Sequence, residues 1–72
     1  MFNIALVDIG GDGCKTDFNT TVETLAEAEV IAKGEIGGHL GTYDIDLIHD
    51  EDLVYDVISG GESVGLVLIE SL

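Results

Sequence analysis

Apart from carboxylates, few residues in this chain can carry chemistry. His39 and His49 are the only imidazoles and Cys14 is the only thiol. None stands in a pattern that would build a catalytic triad or a nucleophile elbow. Cys14 follows a glycine-rich stretch and reads as a small, inert side chain. His49 falls on the inward side of a strand end and reads as packed or hydrogen-bonded rather than as a ligand. Gly10-Gly11-Asp12-Gly13 has the glycines of a phosphate cradle, but it joins two strands instead of opening a helix and lacks the Lys-Ser/Thr pair. A hairpin turn is expected there. Asp50-Glu51-Asp52 crowds carboxylates into one loop, as a hard cation would require. Consecutive residues do not aim at one ion, however, and no twelve-residue calcium loop with its closing Glu is present. A solvated acidic turn is expected, with no metal, no cofactor and no catalysis.

The carboxylates themselves are the most informative feature. Asp44, Asp46, Asp50, Glu51, Asp52 and Asp56 are six acids within thirteen residues, with no Lys or Arg among them. They are the candidate partner-binding residues. The rest of the chain has the same sign: fifteen Asp and Glu face only Lys15 and Lys33, for a formal net charge of -13. A compact chain of this length has a radius of gyration of roughly 11 Å. Across its diameter of ~25–30 Å, duplex DNA would display ~15–18 phosphate charges. The domain therefore carries charge of the same order as the DNA it could replace in a cationic channel, and the match would speed encounter.

Positioning such groups requires a folded scaffold, and the sequence patterning supplies one. Residues 2–9 read as a strand with apolar side chains on both faces, hence a central strand or one whose outer face is covered. After the glycine turn, residues 15–23 alternate Thr16, Phe18, Thr20 and Val22 against polar neighbours, a second strand. Thr24-Leu25-Ala26-Glu27 matches a helix capping box. Leu25, Ala28, Ile31 and Ala32 share one face, Ile36 extends it, and Gly34 or Gly37-Gly38 is expected to end the helix. Two further alternating runs, at 42–49 and 53–58, and a last strand at Ser63–Glu70 form a meander, with Gly60-Gly61 as a tight turn. A three-residue Asp50-Glu51-Asp52 loop would set Ile45 opposite Val57, Leu47 opposite Tyr55 and Asp46 opposite Asp56. The expected fold is α+β, order ββαβββ: an antiparallel sheet of about five strands with one helix on one face. The uncovered face would carry Ile48, Val54, Ile58, Val67 and Ile69 beside Asp44, Asp46 and Asp56, and both tyrosines would pack under the helix.

Length and composition narrow the partners. Seventy-two residues make one acidic domain, 1–72, which buries only about 60% of its unfolded surface. With 46% hydrophobic residues it is rich enough in apolar side chains to fold despite its charge. Direct contact with nucleic acid or an anionic membrane lacks any basic surface to support it. No basic leader and no long apolar span occurs, so a cytoplasmic location is expected.

The order of hairpin, short helix and meander resembles small phage-encoded anti-CRISPR proteins acting on type I systems. In one such group a strand pair precedes a Ser/Thr-Leu-x-x-Ala-x-x-Ile-Ala helix and then a strand opened by Gly-Thr. Here those positions are Thr24-Leu25, Ala28, Ile31-Ala32 and Gly41-Thr42, within a resemblance that covers about residues 15–48. This chain is the more acidic, closer in composition to anti-CRISPR proteins that mimic DNA. The resemblance implies a stoichiometric inhibitor without catalysis, acting in the host cytoplasm on a CRISPR surveillance complex or another basic nucleic-acid-binding protein. The alternative expectation is a homodimeric structural or interaction module, whose acids reflect salt adaptation of the organism.

Overall fold

A computed structural model describes all residues, 1–72. It contains five strands and one helix: β1 (Phe2–Val7), β2 (Lys15–Thr20), α1 (Leu25–Leu40), β3 (Ile45–Glu51), β4 (Val54–Ser59) and β5 (Glu62–Ser71). The strands form one antiparallel sheet in the order β2-β1-β5-β4-β3, and α1 crosses one face. The fold is the expected α+β arrangement.

β1 ends earlier than its apolar run because Asp8 adopts a left-handed conformation, φ 52°. Ile9 therefore leaves the sheet for a short 3-10 turn, Ile9–Gly11, and plugs into the core at 2% exposure. The helix opens as its sequence requires. The Thr24 hydroxyl accepts from the Glu27 N–H at 3.2 Å and donates to the Glu27 carboxylate at 2.9 Å, so the Glu side chain closes the cap through the hydroxyl. Its end differs from expectation. The helix runs through Gly34, Gly37 and Gly38 and stops at Gly41, φ 77°, whose N–H donates to the Gly37 carbonyl at 2.8 Å. Each interior glycine costs up to about 1 kcal/mol of helix propensity. Ile36, fully buried against the sheet, offsets this with roughly 1.5–3 kcal/mol of apolar transfer.

The core joins Ala28, Ala32 and Ile36 of α1 to Phe2, Ile4, Ile45, Tyr55, Val57, Val67 and Ile69 of the sheet, and no polar residue is buried in it. Leu25, expected on this face, is exposed at the first turn of the helix. Val67 and Ile69, expected on the uncovered face, are core residues. The reason is a bulge. An unbroken ladder from the Gly60-Gly61 turn would pair Val57 with Val64, but Ile58 pairs with Ser63 and Val57 with Gly65. Val64 is the extra residue, and a slip of one position sends every later side chain of β5 to the opposite face. Leu66 and Leu68 thereby replace Val67 and Ile69 on the outside.

A second register difference lies between β3 and β4. The connection is a two-residue turn, Asp52-Leu53, with Asp50 bulged between the His49–Tyr55 and Glu51–Val54 pairs. Ile45 consequently faces Ser59 and Leu47 faces Val57. The slip of two leaves every face unchanged but changes each neighbour. Asp52 holds the left-handed conformation, φ 41°, that such a tight turn uses and Asp tolerates.

Candidate functional site

β3 is an edge strand, so one side of its backbone has no partner in the sheet. Asp46 and Ile48 project from it onto the face opposite α1, in line with Ile58 and Asp56 of β4. Asp46 therefore does not face Asp56. It pairs with Ile58, while Asp56 pairs with Ile48 on one side and Leu66 on the other. Direct like-charge pairing, unfavourable by on the order of 0.2–1 kcal/mol, is avoided, and the two carboxylates sit on a diagonal about 7–8 Å long.

The six carboxylates are gathered along this edge, but not at one point. Asp50, Glu51 and Asp52 form its tip, and all are exposed. Asp44 precedes β3 at the far end, its N–H donating to the Thr42 hydroxyl at 3.3 Å. Asp56 is half-buried and accepts a 2.5 Å hydrogen bond from the Ser63 hydroxyl, so this acid is tied down across the β4–β5 ladder. Neither lysine forms an ion pair with these acids. Lys15 lies on β2, the opposite edge of the sheet, 3.9 Å from Asp17, and Lys33 is exposed on α1. The remaining nine acids are spread over the molecule, on the helix (Glu27, Glu29, Glu35) and before it (Glu23), at Asp8 and Asp12, at the start of β5 (Glu62), and on the outer face at Asp17 and Glu70.

The other groups with chemical potential are engaged structurally. Asp8 accepts from the Gly13 N–H at 2.7 Å and Asp12 from the Cys14 N–H at 2.8 Å, so carboxylates fill the glycine turn where a phosphate would sit. Asp12 also meets the His39 imidazole at 2.9 Å, joining the turn to the end of α1. Cys14 is exposed beside it. His49 behaves as its position implies: Nε2 lies 2.6 Å from the Asp52 carbonyl, and the ring tilts against Tyr55 with centroids 5.1 Å apart. Burial, the Glu29 charge and a hydrogen bond to Glu29 together raise the Tyr55 pKa above its ordinary 10.0. No three His, Cys, Asp or Glu converge as metal ligands. An open hollow of about 660 Å³ lies between the 3-10 turn and the β5 bulge, lined by Val7, Asp8, Gly10, Gly11 and Ser63–Leu66. Its polar side chains, Asp8 and Ser63, already bond Gly13 and Asp56.

Two features escape a reading of the sequence. Tyr43, expected under the helix with Tyr55, is 76% exposed and lies across Gly37 beside the acidic edge. Leu66 and Leu68 also join the outer face, where Leu66 is 37% and Ile48 54% exposed. The isolated Gly65 within an apolar run was the available signal for the bulge that puts them there. Comparison with protein-family models, with curated proteins and with solved structures finds nothing that matches this chain.

Proposed function

We propose that the domain is a non-enzymatic acidic inhibitor that occupies the nucleic-acid-binding surface of a basic protein. The observation that carries this reading is the β3 edge, where five carboxylates stand with Asp56 behind them on β4 and no lysine or arginine among them. β3 from Ile45 to Glu51, with Asp50 bulged out of the ladder, covers roughly 17–20 Å. One strand of duplex DNA displays about five or six charges over that length. The edge, with Asp56 beside it, therefore approaches the linear charge density of a phosphate backbone. The longest dimension of the domain is 29 Å, along which a duplex would carry about 17 charges against the net -13 here. Competition would be steric and electrostatic, and a Lys/Arg-rich groove is the complementary surface. A CRISPR-type surveillance complex of a phage host is the target that the family resemblance supplies.

The test is capture of proteins from host lysate on the immobilised domain at low salt, followed by elution with duplex DNA. A basic nucleic-acid-binding protein released by DNA, and by raised salt, is the expected result. The variant Asp44→Lys/Asp46→Lys/Asp56→Asn should retain the fold and capture none of it. Equal capture by that variant, or elution indifferent to DNA, rejects the reading.

A further inference from the structure

The face of the sheet opposite α1 carries no helix: Ile48 and Leu66 are exposed on it, Val7, Val54, Ile58 and Leu68 are half-buried, and only the small Ala5 is buried. The pairings place Val54 beside Leu68 and Ala5, and in the next row Ile48, Asp56, Leu66 and Val7. Ile58 adjoins them on β4. The result is an apolar belt across β3, β4, β5 and β1, interrupted by Asp56 and bordered by Asp46, Glu51 and Glu70, with Asp17 and Lys15 as an ion pair at the β2 end. At sheet spacing the belt is about 14 Å long and its rows are about 7 Å apart. A helix of ten residues is about 15 Å long and roughly 10 Å across.

We infer that this face docks an amphipathic basic helix of the partner, whose apolar stripe lies on the belt while flanking Lys and Arg side chains reach the bordering carboxylates. Charge decides against a second copy as the occupant, because it would bring thirteen further negative charges against the same acidic border. A cationic helix gains from both terms, apolar burial at the belt and attraction at its margin. The inference deepens the proposal above and rests on it only for the sign of the partner's charge. It moves the main contact from the β3 tip to the sheet face and names the element recognised.

The probe is a synthetic peptide of about 14 residues, helical, with a leucine stripe flanked by Lys and Arg, compared with a scrambled peptide of identical composition. Amide shifts on titration should concentrate at Val54, Leu66 and Leu68 and leave α1 unmoved, with the scramble binding roughly tenfold or more weakly. Ile48→Gln/Leu66→Gln keeps the net charge and alters two exposed side chains, so it should fold and lose roughly tenfold in peptide affinity. Equal binding of the scramble, no effect of the double variant, or a stable dimer by sedimentation that closes the face to the peptide overturns the inference. The two proposals fail separately. Face-directed peptide binding with no DNA-releasable partner rejects only the inhibitor reading, whereas DNA-sensitive capture undiminished by Ile48→Gln/Leu66→Gln rejects only the helix-docking one.

Discussion

Val57 pairs with Gly65 across the β4–β5 ladder, and Ile9 lies directly over that glycine. A Cβ at Gly65 would come within 2.7 Å of the Ile9 Cδ1 and 3.0 Å of the Asp8 carbonyl, at a φ of 152°. The bulge that turns Val67 and Ile69 into the core and Leu66 and Leu68 outward thus depends on a contact between the two ends of the chain. Gly65→Ala is expected to destabilise the domain by about 1–3 kcal/mol, as overpacking does. Urea unfolding checks this, and a variant of unchanged stability would remove the packing account.

The three interior glycines of α1 should respond differently to alanine. At Gly34 and Gly38 an added methyl meets nothing within 4 Å, so each substitution should raise stability by roughly 0.5–1 kcal/mol through helix propensity. At Gly37 the methyl meets the Tyr43 ring and, at 3.0 Å, the Thr42 carbonyl. Gly37→Ala should therefore lower the thermal midpoint while the other two raise it. Combining it with Tyr43→Ala should recover only part of the loss, since the backbone contact persists.

Tyr55 makes stability depend on alkaline pH. Its folded-state pKa is raised above 10.0, first by burial, then by the charge of Glu29 and a hydrogen bond to it. The fold favours the protonated phenol, so this contribution is complete below the unfolded pKa of 10.0 and is lost as pH rises through the higher folded value. The thermal midpoint should fall above about pH 10, and Tyr55→Phe should flatten that fall. Parallel pH curves for the two proteins would contradict the assignment.

Self-repulsion should make the isolated domain sensitive to salt. With net charge -13 and only two lysines, it should gain stability as sodium chloride rises from about 0.05 to 1 M, over which the screening length falls to about 3 Å. A gain of ~1 kcal/mol would raise the midpoint by about 4–8 °C in a domain this small. A midpoint independent of salt would mean that the carboxylates repel one another too little to matter, and would weaken their role as a dense charged edge.

Local signals account for what was legible in the sequence. Period-two alternation, the Thr24 cap and the Gly60-Gly61 turn each act within a few residues, and they mark the presence of all five strands and the start of α1, but β1 ends at Val7, β2 at Thr20, and β3 begins only at Ile45. The six acids likewise stand out as a cluster by their spacing alone, whereas their place along an edge strand follows from the sheet order. The helix end was less accessible. Gly34, Gly37 and Gly38 look like terminators until Ile36 is seen buried and Gly41 is seen closing the last turn.

The sequence by itself determined the α+β order, the sign and density of the charge, and the absence of a basic surface. These follow from composition and short-range periodicity. Only the tertiary structure decided which residues the charges meet. The Asp50 bulge sets Asp46 beside Ile58, the Ser63 hydroxyl holds Asp56, and the Val64 bulge delivers Leu66 and Leu68 to the open face. A strand's side chains change faces with every single-residue slip, and here the slip is governed by Ile9 packing on Gly65, a contact across fifty-six positions of chain that no local pattern encodes.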